Sequence, residues 1–316
     1  MAKAAQHRFP GILAASAVLL AAGSVPAQVP RFASQTDLVV LSATAVDGKG
    51  RPVTNLRREE FRIVEDGRPQ KLEHFSLGNQ TPLRVLFLID ASGSMNGQLK
   101  TTSTRMALIQ LLAALGPDDL AALAAFDHRY WGVVKFTQDR KAIEAGFDEL
   151  EPFSSTALHD ALDQAAHDIA VHGEGRRAVV VITDGVDTSS QKNPEEVIAR
   201  SRALDVPIYA VSVVSPLDDP ASSRFAGSER QSASATQGAI VLGRYAALSG
   251  GAAFTVSDFA GLKAASDRIV GELKHQYRLG YDPPPGPSRF RRIAVSTTRK
   301  GVVVKTRSGY MPQPQS

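Results

Sequence analysis

The stretch Val85-Leu86-Phe87-Leu88-Ile89-Asp90-Ala91-Ser92-Gly93-Ser94-Met95 decides how the rest of the chain is interpreted. Its first five residues are apolar, which predicts a strand buried on both faces, as in a parallel sheet. Asp90 ends that run and therefore lies at the C-terminal edge of the sheet, where open α/β sheets bind ligands. The loop that follows adds the hydroxyls of Ser92 and Ser94. Such hard oxygen ligands suit Mg²⁺, Mn²⁺ or Ca²⁺ better than soft metals.

A turn rich in Asp, Ser and Gly also has an ordinary explanation, because these residues favour turns and helix N-caps in any protein. A metal site here would need further oxygen ligands from neighbouring loops. Thr156 lies at the predicted start of a helix, as an N-cap or a ligand. Asp184 ends a second β-branched apolar run, residues 178–182. Two carboxylates at one sheet edge repel each other unless a cation lies between them.

These residues together resemble a known metal site. Asp90-x-Ser92-x-Ser94, Thr156 in the setting Thr-Ala-Leu-x-Asp-Ala-Leu, and Asp184 in Thr-Asp-Gly are similar to the metal-ion-dependent adhesion site of the von Willebrand factor type A domain. The resemblance implies that Ser92, Ser94 and Thr156 bind the metal directly or nearly so. Asp90 and Asp184 would bind it directly or through water. A sixth position would remain for water or for a partner's carboxylate.

The resemblance covers about residues 83–274 and implies a non-enzymatic protein-binding module. Two carboxylates roughly neutralise a divalent cation and three hydroxyls add no charge, so the metal still attracts an outside Asp or Glu oxygen. Mg²⁺ keeps waters readily and suits such an open site, with Mn²⁺ or Ca²⁺ as alternatives. We therefore expect cell adhesion or scaffolding through a carboxylate of a protein or peptide.

A Mg²⁺-dependent hydrolase or phosphatase is an alternative, although we predict no catalytic residue. The sequence contains no Walker loop, no His-Glu-x-x-His motif and no Cys/His cluster. Phosphatases that form an aspartyl phosphate would want a second acid at position 92, where this chain has Ser92. His159 is close to the site in sequence, but a place on the helix surface or behind the ligands is favoured. A structural envelope component with a vestigial site is the third interpretation.

The N-terminus has the pattern of a signal peptide over residues 1–27. Lys3 and Arg8 precede a short apolar run, residues 11–23, and Ala27 ends a small-residue cleavage site. The alternative is a membrane anchor, but the run is short for a span. We expect an exported bacterial protein, periplasmic or extracellular, with no transmembrane segment after cleavage.

Composition excludes some classes of function. The 316 residues are 43% hydrophobic and 22% charged, with a net charge of +4. The leader holds two of the 36 basic residues, which leaves 34 against 32 acidic ones. Since no basic run is interleaved with aromatics, nucleic-acid binding is not expected. The chain has no Cys, so it forms no disulfide, and its stability must come from its core, with a contribution from the metal if one is bound.

Three segments are expected after the leader: an N-terminal β segment at 28–80, a type A domain at 81–275 and a C-terminal β segment at 276–312. The middle alternates strands and helices, which predicts a Rossmann-like, doubly wound, mostly parallel sheet. Within it, residues 215–237 lack periodicity and predict a surface loop or lid, either for partner specificity or without function. Since neither flank is long enough for its own core, we expect both to join in one β-sandwich. Two separate β appendages are the alternative.

The flanks contain two further local patterns. Asp66-Gly67 predicts a tight hairpin turn between a strand at Phe61–Glu65 and a partner strand at Lys71–Phe75. The first of these strands and the closing Ser308-Gly309-Tyr310 resemble the flanks of a bacterial subgroup of exported type A proteins. That likeness indicates a type of module and not a particular task.

Overall fold

A computed structural model of the chain describes residues 38–78, 81–95, 98–172, 175–213 and 229–312. The predicted signal peptide at residues 1–27 lies outside these ranges, and so does the part of the predicted loop from 215 to 228. Within the described ranges, no helix has both the length and the apolar character that crossing a membrane requires.

The described part of the chain begins with four strands, β1 (Val39–Asp47), β2 (Phe61–Glu65), β3 (Arg68–Gln70) and β4 (His74–Leu77). Its middle alternates strands with helices, namely β5 (Leu83–Asp90), α1 (Gln98–Ala114), β6 (Leu120–Phe126), β7 (Tyr130–Thr137), α2 (Arg140–Asp148), α3 (Leu158–Val171), β8 (Arg176–Thr183), α4 (Pro194–Leu204), β9 (Ile208–Val213), α5 (Glu229–Ser249), β10 (Ala253–Val256) and α6 (Phe259–Lys274). It ends with β11 (Tyr277–Tyr281), β12 (Arg291–Thr297), β13 (Val302–Lys305) and β14 (Gly309–Tyr310).

Six strands form the central sheet in the order β10-β9-β8-β5-β6-β7. All neighbours are parallel except β7, which pairs antiparallel with β6 at one edge. Because β5 and β8 are neighbours, the residues that follow both strands emerge at the same edge of the sheet. The predicted fold class, a mostly parallel sheet flanked by helices, is confirmed.

The apolar run of β5 is buried on both faces because its side chains alternate between two cores. Val85, Phe87 and Ile89 pack on the side of α1, α2 and α6. Leu86 and Leu88 pack on the opposite side, against α3, α4 and α5. Burial on both faces explains why the strand reads as a continuous apolar run instead of an alternating one.

The two flanks contribute strands to the same two antiparallel sheets. One sheet has the order β13-β1-β11-β4, and the other has the order β14-β12-β2-β3. Their shared core contains an aromatic cluster of Phe61, Phe75 and Tyr277, whose ring centroids lie 5.1–5.8 Å apart. Strands from the start and the end of the chain therefore bury one common apolar surface.

The partner strand expected at Lys71–Phe75 is wrong. Asp66 and Gly67 both have positive φ, 47° and 79°, and form the two-residue turn that their sequence predicts. Such a turn brings the next residues into register at once, so Glu65 lies opposite Arg68 in β3. The chain then crosses to the other sheet, where β4 pairs with β11.

The surface loop expected up to residue 237 is also wrong in its last part, since α5 already begins at Glu229. Residues 229–237 are mainly Ser, Ala, Thr and Gln, which lack an apolar period but are compatible with a helix. Hydrophobic periodicity alone therefore does not reveal the first two turns of α5.

Candidate metal centre

Three loops meet at the C-terminal edge of the central sheet. Asp90 ends β5, Asp184 follows β8 and Thr156 precedes α3. Asp90, Ser92, Thr156 and Asp184 are buried, whereas Ser94 is exposed. All five predicted residues thus lie on loops at one edge of the sheet, with Ser94 on the solvent side.

The loop after β5 is held in place by backbone and side-chain hydrogen bonds. The N–H of Ser92 donates to Asp90 Oδ1 at 2.9 Å, and the hydroxyls of Ser92 and Ser94 lie 3.1 Å apart. Gly93 N–H donates to the carbonyl of Ser154 at 2.9 Å. A Cβ at Gly93 would lie 3.2 Å from that same carbonyl oxygen, so glycine permits the close approach. The contact brings the first loop against the loop that carries Thr156.

Thr156 does not cap the helix that follows it. The N-cap of α3 is Ala157, which makes no side-chain cap. The first free N–H groups of α3 are satisfied from another loop instead. Leu158 N–H donates to Asp187 Oδ1 at 2.8 Å, and His159 N–H donates to Ser190 Oγ at 2.9 Å. Of the two roles open to Thr156, capping of α3 is therefore taken by other residues.

Asp90 and Asp184 are close enough to affect each other. Burial, and after it the negative charge of Asp184, raises the pKa of Asp90 to about 6. Hydrogen bonds to the ionised form act in the opposite direction, among them one of 2.6 Å from Thr183 Oγ1 to Asp90 Oδ2. The folded chain thus holds a carboxylate in a place that disfavours its charge, which a cation at the same place would relieve.

An ammonium group already lies against this cluster. Lys100 Nζ donates to Asp184 Oδ2 at 3.1 Å and to the backbone carbonyl of Ser94, also at 3.1 Å. Among the described residues, no group of three or more His, Cys, Asp or Glu side chains could hold a metal ion. The predicted donor set is instead two carboxylates and three hydroxyls, a chemistry that suits a hard divalent cation more than a zinc site of His and Cys.

Sequence reasoning missed three residues that shape this edge. Thr183 anchors Asp90, Ser190 joins Asp187 in capping α3, and Lys100 reaches Asp184. Thr183 directly precedes Asp184, so its position beside the site was a signal. Ser190 and Lys100 act across loops, and local sequence carries no sign of their partners.

The contacts of His159 do not favour a role as a metal ligand. Its Nδ1 lies 2.8 Å from the hydroxyl of Tyr245 in α5, and its Nε2 lies 3.9 Å from Asp187. Burial lowers its pKa, so the imidazole is favoured in its neutral form. The contacts link α3 to α5 behind the loops, in agreement with the outer position that the sequence favoured.

We expect the Asp187→Ala variant to lose about 1–2 kcal/mol of stability, because the first turn of α3 loses its acceptor. Urea denaturation and amide hydrogen exchange measure the effect, which should appear as faster exchange at Leu158. Asp139→Ala is the matched control, since Asp139 caps α2 through the N–H groups of Lys141 and Ala142. That control should open α2 and leave α3 protected. Equal protection of α3 in both variants would contradict the cap assignment.

The sequence of the central region matches a known family. Residues 85–268 match the profile of the von Willebrand factor type A domain. The chain belongs to that family. The matched range runs from β5 into α6 and contains all three loops of the candidate metal centre.

Two curated relatives of this type A protein match over shorter stretches. The inter-alpha-trypsin inhibitor heavy chain H4 of Sus scrofa is 29% identical over 126 residues, which cover 37% of this chain and 14% of that protein. The protein sll0103 of Synechocystis sp. is 33% identical over 107 residues, which cover 33% of this chain and 25% of that protein. The chain thus spans a quarter or less of the length of either relative.

Solved structures of type A domains are similar at low sequence identity. The von Willebrand factor type A protein from Catenulispora acidiphila has a TM-score of 0.49 and 12% identity, covering 88% of this chain and 75% of that one. Proximal thread matrix protein 1 from the mussel byssus, described with a zinc-occupied MIDAS motif, has a TM-score of 0.49 and 20% identity, covering 66% and 49%.

Proposed function

We propose that this type A domain binds a divalent cation and uses it to capture a carboxylate of a protein or peptide partner. The ligands in this proposal are Asp90, Ser92, Ser94, Thr156 and Asp184. The observation that carries it is the pair of buried carboxylates at one sheet edge, where burial and mutual repulsion raise the pKa of Asp90. A bound cation supplies positive charge there and an open position for an outside anion. Mg²⁺ suits that role, and Mn²⁺ and Ca²⁺ accept the same oxygens.

The residues of the chain support binding more than reaction. The hydroxyl of Thr183 and the N–H of Ser92 both donate to Asp90, which fixes the orientation of its buried carboxylate. Ser94 is exposed to solvent, on the side from which a partner would approach. Asp187, the next acidic side chain along the chain, is engaged in capping α3. We therefore propose a non-enzymatic adhesion or scaffolding module.

The proposal includes the setting of the module. A cleaved leader at residues 1–27 would export the chain to the periplasm or the cell exterior. Segments 36–80 and 276–312 would form one β-sandwich that carries the type A domain of residues 81–275. The pairing of β1 with β11 and of β2 with β12 supports this arrangement.

Cation binding is tested first with the metal alone. We expect Mn²⁺, measured by isothermal titration calorimetry, to bind the wild-type chain and not the Asp184→Ala variant. At a concentration about tenfold above Kd, it should stabilise the wild type by about 1.4 kcal/mol. Asp267→Ala is the matched control, because that exposed carboxylate pairs with Lys263 in α6 and lies outside the candidate metal centre. The metal site would be refuted if the wild type did not bind Mn²⁺, or if Mn²⁺ bound and stabilised the Asp184→Ala variant equally.

Carboxylate capture is tested with an array of synthetic peptides that contain Asp or Glu at varied positions. Binding should require Mg²⁺, disappear in EDTA, and disappear when the critical acid of a captured peptide is changed to its amide. Asp184→Ala should abolish the same signal, and Asp267→Ala should keep it. Peptides that bind equally in EDTA would show a different mode of recognition. Turnover of a phosphoester that depends on Mg²⁺ and Asp184 would favour a hydrolase instead.

A further inference from the structure

Lys100 occupies an unusual place for a lysine. It lies in the first turn of α1, and its ammonium bonds to Asp184 and to the carbonyl of Ser94 at 3.1 Å each. Its side chain is 19% exposed and that of Asp184 is 11% exposed, so the pair is partly shielded from water. A partly shielded ion pair is screened less by salt than a surface pair.

The helix itself does not favour a cation at this position. The N-terminus of an α-helix carries partial positive charge, which attracts anions and disfavours a lysine. The first turn of α1 also has no acidic residue that could offset the charge of Lys100. The oxygens of Ser94 and Asp184 nevertheless accept hydrogen bonds from its ammonium there. The ammonium thus lies as a counter-ion against Asp184.

We propose that Lys100 is a tethered competitor for the divalent cation, and that it must leave Asp184 before the cation binds. This inference rests on the proposed function, since it concerns the same site. Asp184 Oδ2 cannot serve both cations at once, because a dication on that oxygen would sit against the ammonium in a partly shielded place. The lysine stem is long and flexible, so the ammonium can move into solvent. Lys100 thereby sets how much cation the site requires.

Three variants test the competition. Lys100→Met removes the charge and keeps an unbranched stem, and Lys100→Arg keeps the charge. Lys263→Met is the matched control, because Lys263 lies in α6 and pairs with the exposed Asp267. The measurements are the Mn²⁺ dissociation constant by calorimetry and the melting temperature in EDTA and in Mn²⁺, all with the full chain.

We expect Lys100→Met to bind Mn²⁺ at least about tenfold more tightly than the wild type, because the competing charge is gone. Its melting temperature in EDTA should fall, since Asp184 loses its counter-ion, and its rise on adding Mn²⁺ should exceed that of the wild type. Lys100→Arg should stay close to wild-type affinity, and Lys263→Met should match the wild type in both measurements.

The measurements distinguish a failure of the Lys100 competition from a failure of the proposed metal site. If the wild type binds Mn²⁺ and Lys100→Met binds it equally or more weakly, the competition is wrong and the metal site stands. If neither protein binds Mn²⁺ and Asp184→Ala changes nothing, the proposed metal site itself is wrong. A lysine that only supports the fold would lower the melting temperature of Lys100→Met equally in EDTA and in Mn²⁺, which also overturns the inference.

Discussion

Replacing Asp90 with Asn is expected to stabilise the metal-free protein by about 1–3 kcal/mol at pH 7 and to abolish its response to divalent cations. Asp90 is almost fully buried, and burial together with the charge of Asp184 raises its pKa to about 6. Asn removes the disfavoured charge and keeps an acceptor for the N–H of Ser92. Urea denaturation in EDTA and in Mn²⁺ measures both effects.

The pH dependence follows from the same raised pKa. Between about pH 4 and pH 6 the folded state binds a proton at Asp90 that the unfolded state has released. Stability from this group is therefore largest at low pH and declines as pH rises through about 6. The difference in stability between Asp90→Asn and wild type in EDTA should grow from pH 4.5 to pH 7.5. A constant difference would contradict the raised pKa.

Asp119→Asn is the matched control for Asp90→Asn. Asp119 is also buried, but it accepts N–H donors from Leu83 at 2.9 Å and from Gly116 at 2.7 Å. The positive charges of Arg140 and Arg176 lie near enough to interact with it. Its charge is thus supported by the fold, and the control should lose stability where Asp90→Asn gains it. If Asp90→Asn is also less stable in EDTA at pH 7, the site is not strained by its charge.

Replacing Glu65 with Ala is expected to destabilise the protein by about 3–5 kcal/mol, because it leaves a buried arginine without its partner. Glu65 Oε1 accepts from Arg291 at 2.9 Å, and its Oε2 accepts from the hydroxyls of Tyr281 at 2.5 Å and Tyr310 at 3.1 Å. Burial, and after it the neighbouring Glu65, raises the pKa of both phenols, that of Tyr310 to about 12, so both remain donors. The urea midpoint and the melting temperature measure the loss.

The size of this effect comes from the topology of the flanks. Glu65 ends β2, while its donors lie on β11, β12 and β14, so one carboxylate ties strands of both antiparallel sheets. Glu73→Ala is the matched control, since Glu73 pairs with the exposed Lys71 at the surface and should cost less than about 1 kcal/mol. Should Glu65→Ala fail to fold, Tyr281→Phe removes one of the three donors and should cost about 1.5–3 kcal/mol. Losses no larger than that of Glu73→Ala would contradict the network.

Much of the central sheet could be predicted from local pattern. The apolar run before Asp90 and the run before Asp184 are strands because side chains on both faces must be apolar in a covered parallel sheet. The predicted helix at Leu158–Val171 agrees with α3 because its apolar residues recur at helical spacing. The N-terminal half of α5 could not be predicted in this way, because it has no apolar residues at helical spacing.

The loops of the candidate site were equally predictable, since an Asp at the end of each strand must emerge at the same edge of a parallel sheet. The role of each residue on those loops could not be predicted from the sequence. Sequence left Thr156 open between cap and ligand, and the cap is supplied by Asp187 and Ser190, which lie about thirty residues further along the chain. A cap supplied from another loop leaves no mark on the sequence around the helix it caps.

The sequence by itself therefore determined the buried strands that end at Asp90 and before Asp184, the helix α3 and the oxygen-rich loops, because periodicity and turn chemistry are properties of neighbouring residues. The tertiary structure alone decided the partners: Lys100 against Asp184, Thr183 against Asp90, and Glu65 against strands more than two hundred residues away. Such contacts depend on which strands become neighbours in space. Burial at those contacts then fixes which charges the fold supports and which, like that of Asp90, it disfavours.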